Sequence, residues 1–137
     1  MPDKLNGKAQ AFLLILRWTL AIIFFANGVP KLSDPGFGAN ADSFFASLRD
    51  DVIFGPYKTV FKDVIIPNAF IIASFVKYAE IAVGAMFFVG FPLRFASLLA
   101  TFLHLNYLCI ASFPTFIYLN VLMIVCEWFI RSAHEKQ

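Results

Sequence analysis

The sequence predicts an all-α fold: an integral membrane four-helix bundle with a long extramembrane loop between helices one and two. Three observations carry that prediction. Of the 137 residues, 60% are hydrophobic, whereas soluble domains hold roughly 45–50%. The apolar residues gather into four long runs, each near the roughly 20 residues needed to cross a bilayer. Glycine and proline clusters punctuate the ends of those runs. A single domain over residues 1–137 is expected, since no internal repeat, low-complexity tract or Gly/Ser linker divides the chain. The net charge of +2 gives no reason to expect nucleic acid as a partner. Membrane lipid is the expected surrounding, and the 18 phenylalanines thicken lipid-facing and packing surfaces without forming a cofactor box.

Helix one is expected over residues 9–27. Lys4 and Lys8 precede the run as in a signal peptide, but Arg17 and Trp18 interrupt it and no small-residue cleavage site follows, so an uncleaved first span is expected. Gly28 and Pro30 are read as its stop signal. Arg17, Ala21 and Gly28 form a stripe along which a neighbouring helix could approach closely. A polar excursion of roughly 40 residues follows, longer than most structureless connections. Within it, Asp34-Pro35-Gly36 signals a turn, a short helix is expected with its cap near Asp42, and Val52–Ile66 resembles an interfacial segment. A functional loop and a simple lid over the helix ends are equally compatible with this stretch.

Helix two is expected over residues 67–89, with Pro67 at its first position and a tight turn at Gly90-Phe91-Pro92. Helix three is expected over residues 93–111, a turn at Ser112-Phe113-Pro114, and helix four over residues 115–130, followed by a charged tail. Four spans put both termini on one side. Basic residues divide five against four between the sides, and the tight basic turn at Arg94 favours the termini in the cytoplasm.

Helix two carries Lys77 and Glu80 near its middle, where a charge costs on the order of 3 kcal/mol to insert. Ala73, Lys77, Glu80 and Gly84 share one face, which must look into protein, a partner or a water-filled cavity. Counting from the assumed cytoplasmic ends puts Arg17 level with Glu80, and Lys77 level with His104. Arg17 with Glu80 is the expected ion pair. It reads either as a plain clamp between helices one and two or as part of a polar site at mid-membrane that also holds Lys77 and His104.

His104 shares a face with Ser97 and Thr101. It reads as a helix contact, or as a group exchanging a hydrogen bond or proton with a quinone carbonyl. Asn106 points the opposite way. Glu127 counts as shallow, with Arg131 as its i,i+4 partner, and is expected to be structural, as is Asn120. Cys109 and Cys126 lie too far apart along the bundle axis for a disulfide, which needs Cα atoms within ~7 Å. No metal site is expected, because neither cysteine lies in a CxxC. No phosphate loop, nucleophile elbow or dinucleotide motif appears, so no intrinsic cofactor is expected.

Several short stretches resemble those of the DoxX family. Arg17 in helix one, followed by Asn27-Gly28-Val29-Pro30-Lys31-Leu32, is similar to that family's opening pattern. Ile65-Ile66-Pro67-Asn68-Ala69, then Glu80, Gly84, Gly90 and Arg94, resembles its central stretch, and Leu105-Asn106-Tyr107-Leu108 its third helix. The group includes DoxD, the small subunit of thiosulfate:quinone oxidoreductase. The resemblance implies a four-helix protein of the prokaryotic cytoplasmic (inner) membrane, associated with quinone-linked sulfur oxidation or redox stress, with Arg17, Lys31, Glu80 and Arg94 as family positions.

The leading expectation is therefore a small subunit of a quinone-linked oxidoreductase or other electron-transfer membrane complex. Its partners would be other membrane subunits of that complex, or further copies of itself in a homo-oligomer. Glu80, His104, Lys77 and Arg17 are the candidates for proton chemistry, and Arg17, Lys77 and His104 for contact with a quinone. The alternative is a non-catalytic structural or assembly subunit of a larger respiratory or photosynthetic complex. A transporter fits less well, since four short helices without broken segments leave little room for alternating access.

Overall fold

A computed structural model describes residues 6–110 and 114–135. The spanning helices are α1 (Gly7–Ser33), α5 (Ala69–Val89), α6 (Leu93–Ile110) and α7 (Pro114–His134). Each is long and apolar enough to cross a membrane, and the chain is an integral membrane protein. Between α1 and α5 lie α2 (Pro35–Ala39), α3 (Ala41–Leu48) with a 3₁₀ turn at Arg49–Asp51, and α4 (Gly55–Val60), which runs into a π turn at Phe61–Ile65. The expected loop is thus a folded helical cap.

Helix α1 begins where the Asn6 side chain accepts a hydrogen bond from Ala9 N at 2.9 Å, a regular N-cap. It does not stop at Asn27 as expected. Gly28 is no terminator: it is buried where α1 crosses α5, and a Cβ there would lie 3.0 Å from Ile81 and 3.1 Å from the Glu80 Cβ. Pro30 sits inside the helix, at the loss of one intrahelical hydrogen bond. The helix ends at Asp34, whose N–H bonds Pro30 O at 3.0 Å. The Asp34 carboxylate accepts from Gly36 N at 2.8 Å and so caps α2. The extra turn carries Lys31 into the bundle.

The other boundaries shift less. Helix α5 begins two residues after Pro67, and α7 starts at Pro114 and continues one turn past Ile130, to His134. Ala111, Ser112 and Phe113 fall outside the described residues. Asn40, not Asp42, occupies the cap position of α3 and makes no side-chain cap bond. Gly90 closes α5 with φ of +89°, the left-handed conformation that favours glycine at this position. The Phe91–Pro92 bond is cis.

Helix α1 packs most closely on α5, and α6 on α7. α5 joins the two pairs through α6, while α1 and α7 touch sparsely. The tight α1–α5 seam follows from small residues: a Cβ at Gly84 would meet the Phe25 ring at 3.0 Å and Ala21 O at 3.3 Å. One apolar core, including Leu20, Phe24, Val83, Phe87 and Leu103, fills the bundle. A second, including Phe45, Val52, Phe61 and Ile65, lies under the cap. Ile15, Ile22, Phe70 and Leu122 face outward, as lipid-facing residues should.

The cap is docked by polar bonds as well. Tyr57 on α4 donates to Asn106 Oδ1 on α6 at 2.6 Å, and Asn106 donates to Phe102 O at 2.7 Å. Burial pushes the Tyr57 hydroxyl up to about 12, with Cys109 adding to the rise. Ile53 N bonds Cys109 O at 3.1 Å. Both cysteines are free thiols. At the opposite end, Glu135 accepts from Arg131 at 3.1 Å and pairs with Arg94 at 3.2 Å, tying the end of α7 to the start of α6. The Arg131 bond, followed by the charges of Arg94, Arg131 and His134, lowers the Glu135 carboxyl below its usual range.

Candidate functional site: a polar chamber between the spanning helices

Two ionisable networks occupy the middle of the bundle. The first centres on Glu80, which is 1% exposed. Lys31 Nζ reaches both carboxylate oxygens, at 2.6 and 2.7 Å. Tyr107 on α6 donates to Oε1 at 2.5 Å. The network thus links α1, α5 and α6. Each partner offsets the desolvation of a carboxylate that burial would otherwise penalise heavily.

The second network centres on His104. Asn120 Nδ2 donates to Phe116 O at 2.8 Å, which turns its Oδ1 toward His104 Nδ1, also at 2.8 Å. Nδ1 must then carry a hydrogen, because Asn120 Oδ1 can only accept. The other ring nitrogen, Nε2, lies 3.0 Å from Glu127 Oε1, off the straight line of a hydrogen bond, and neither atom has another partner among the described residues. Glu127 is fully buried. A bare carboxylate facing a ring lone pair there would be doubly unfavourable. The pair therefore shares a proton, as imidazolium with carboxylate or as imidazole with carboxylic acid. Thr101 donates to Glu127 Oε2 at 3.2 Å, and Ser97 to Glu127 O at 3.1 Å.

Both networks open on one cavity of about 470 Å³. Asn27, Lys31, Glu80, His104, Tyr107 and Asn120 supply its polar groups among the described residues, and Phe24, Phe116 and Leu119 are among its apolar walls. Apolar walls with a few convergent polar groups are the usual make-up of a small-molecule site.

Two expected pairings are replaced. Glu80 pairs with Lys31, not Arg17. The depth count assumed that all helices start at one level, whereas α1 overhangs the α5–α6 turn. The Arg17 guanidinium consequently lies against Gly90, where an added Cβ would collide with it. There Arg17 faces the C-terminal end of α5, favourable for a cation, and lines a separate cavity of about 360 Å³ with Gln10 and His134. Glu127 is not shallow and does not pair with Arg131. The extra turn of α7 sinks it to His104, and Arg131 turns to Glu135 instead.

Of the four expected site residues, Glu80 and His104 thus meet in the chamber. Lys77 lies half-buried at its outside, with Nζ 5.4 Å from the ring centre of exposed Tyr78, and Arg17 lies at the far end. Lys31, Tyr107, Asn120 and Glu127 take part beyond expectation. Each carried a helical-spacing signal. Lys31 is three residues beyond Gly28 on the Arg17–Ala21–Gly28 stripe. Tyr107 is three beyond His104, and Asn120 shares a stripe with Glu127.

A family model described as DoxX matches residues 12–112 of the chain. No curated protein and no solved structure matches it.

Proposed function

The chain belongs to the DoxX family, and from that premise we propose that it is a small membrane subunit of a quinone-linked oxidoreductase, seating a quinone head group in the central chamber. It would sit in a prokaryotic cytoplasmic membrane with both termini inside, beside other subunits of the redox complex or further copies of itself. One observation carries the reading: two buried proton-bearing networks converge on a single chamber whose other walls are apolar apart from Asn27. Such a chamber suits a flat, lipid-soluble ring whose only polar atoms are carbonyls.

Reduction of a quinone consumes two electrons and two protons. The electrons would come from a redox cofactor held by a partner subunit. Lys31 and Tyr107 present N–H and O–H groups at the chamber wall, and each can turn from Glu80 to a ligand carbonyl. His104, with its shared proton on Glu127, is the second proton source. Phe24, Phe116 and Leu119 exclude water and so strengthen each of these polar contacts.

The test is equilibrium binding of a tail-less naphthoquinone to the purified protein in mild detergent. Saturable binding is expected, weakened about tenfold or more by Glu80→Gln or His104→Ala, a loss equivalent to one good hydrogen bond or more. Absence of saturable binding to the unaltered protein would overturn the reading.

A competing reading, a structural or assembly subunit without chemistry, is favoured by one observation: Lys31 and Tyr107 already satisfy Glu80. It expects the paired substitution Lys31→Met with Glu80→Leu to leave the activity of the assembled complex intact. The quinone reading expects assembly without turnover.

A further inference from the structure

Next to the chamber lies a second cavity of about 320 Å³, roofed by α2 and α3. Its walls include Phe37, Phe44, Phe45, Leu48, Val76 and Ile110. It shares Lys31, Tyr107 and Phe116 with the central chamber, so the two adjoin at one threshold. The Lys31 ammonium stands there, 5.9 Å from the Phe37 ring centre and 5.8 Å from that of Tyr107. Polarity divides sharply across this threshold. On the inner side stand Glu80, His104 and Asn120. On the outer side, Asp51 is the one further ionisable lining residue among the described residues.

An apolar cavity gains nothing from water, which needs polar partners to stay, and left empty its walls forfeit dispersion contacts. The outer surface of the cap mixes exposed charged residues, among them Asp42, Arg49, Lys58 and Lys62, with exposed apolar ones. Ile53, Phe54, Val60 and Val64 are among the exposed apolar residues, and such a mixed surface is expected of a segment lying in the bilayer interface. The cavity thus lies where a molecule dissolved in the bilayer would arrive.

We infer that the cavity beneath α2 and α3 seats the apolar tail of the ligand whose polar head occupies the central chamber, which makes that ligand a tailed amphiphile admitted from the bilayer beneath the cap. The inference rests on the proposed quinone site and specifies its ligand: a quinone carrying a polyprenyl or alkyl tail, threaded past Lys31. Phe37, Phe44 and Phe45 hold the tail by surface burial alone. Selection for the tail is therefore by length and shape, while selection for the head is by hydrogen bonds.

The experiment compares a tail-less naphthoquinone with the same ring bearing a polyprenyl tail. Both are titrated against the unaltered protein, Leu48→Trp and Val76→Phe. Each substitution narrows the outer cavity, one from the cap and the other from a spanning helix, so a folding defect in one leaves the other informative. The readout is the change in the affinity ratio of the two ligands from the unaltered protein to each variant, a comparison in which partition into detergent cancels. The expected result is a drop of about tenfold in the tailed ligand's advantage, with tail-less binding unchanged. An unaltered ratio in the folded variants, or equal weakening of both ligands, would overturn the tail assignment while leaving the quinone chamber standing. Failure of the tail-less ligand to bind the unaltered protein would overturn the chamber reading and this assignment with it, whereas failure of the tailed ligand alone would overturn only the tail assignment.

Discussion

Glu80 shows how a buried charge chooses its partner by reach and level together. Lys31 is about a quarter exposed (27%) and Glu80 1%, so its stem crosses apolar surface while its ammonium meets both carboxylate oxygens. Lys31→Met should destabilise the protein by about 3–5 kcal/mol, the usual consequence of stranding one member of a buried pair. Adding Glu80→Leu should recover most of that loss. Thermal unfolding in detergent, arranged as a double-mutant cycle, measures both. Gly90 meets two demands at once, a positive φ and room for the Arg17 guanidinium. Gly90→Ala should cost about 1–2 kcal/mol from backbone strain alone, plus the collision with Arg17. Shortening that side chain with Arg17→Ala should recover the steric part. That Glu80 is buried and paired was legible in the sequence, because a carboxylate in mid-span has few alternatives. Its partner was not legible, because level depends on where neighbouring helices start and no local signal states that.

At the scale of elements, the cap departs most from a plain loop. It exposes Ile53, Phe54, Val60 and Val64 and buries Phe61 and Ile65, so one segment packs over the helix ends and presents apolar residues outward. Tyr57 pins α4 to α6 through Asn106. Its hydroxyl, ordinarily titrating at 10.0, is pushed up to about 12. The neutral form is thus favoured by folding. That stabilisation is fully present below pH 10 and is lost as pH rises towards 12. Melting temperature should fall across that interval, and Tyr57→Phe should flatten the fall while exposing α4 to limited proteolysis at neutral pH. The short helix near Asp42, which is α3 (Ala41–Leu48), was legible in the sequence. The length of α1 was not. Pro30 and Gly28 are stop signals by propensity, but the packing of Gly28 on Ile81 outweighed them.

At the scale of the molecule, four spans put both termini on one side. Reporter fusions at the two ends should therefore give the same compartment signal, and opposite signals would refute the four-span topology. The bundle itself was the most legible feature, because hydropathy over some twenty residues is a strong signal. The chamber was only half legible. Glu80 and His104 announced polar groups at depth, but their convergence depends on how α7 is placed, and its extra turn sinks Glu127 to His104's level.

The sparse contact between α1 and α7 gives the bundle a mechanical grain. Small residues weld α1 to α5, and hydrogen bonds from Ser97 and Thr101 rivet α6 to α7. The polar chamber lies along the parting line between these two rigid leaves. The Gly90–Pro92 turn is the covalent spine between the leaves, and the Arg94–Glu135–Arg131 clasp stays within the α6–α7 leaf. The Lys31–Glu80–Tyr107 network is the latch across the parting line, so opening the chamber means breaking that latch first.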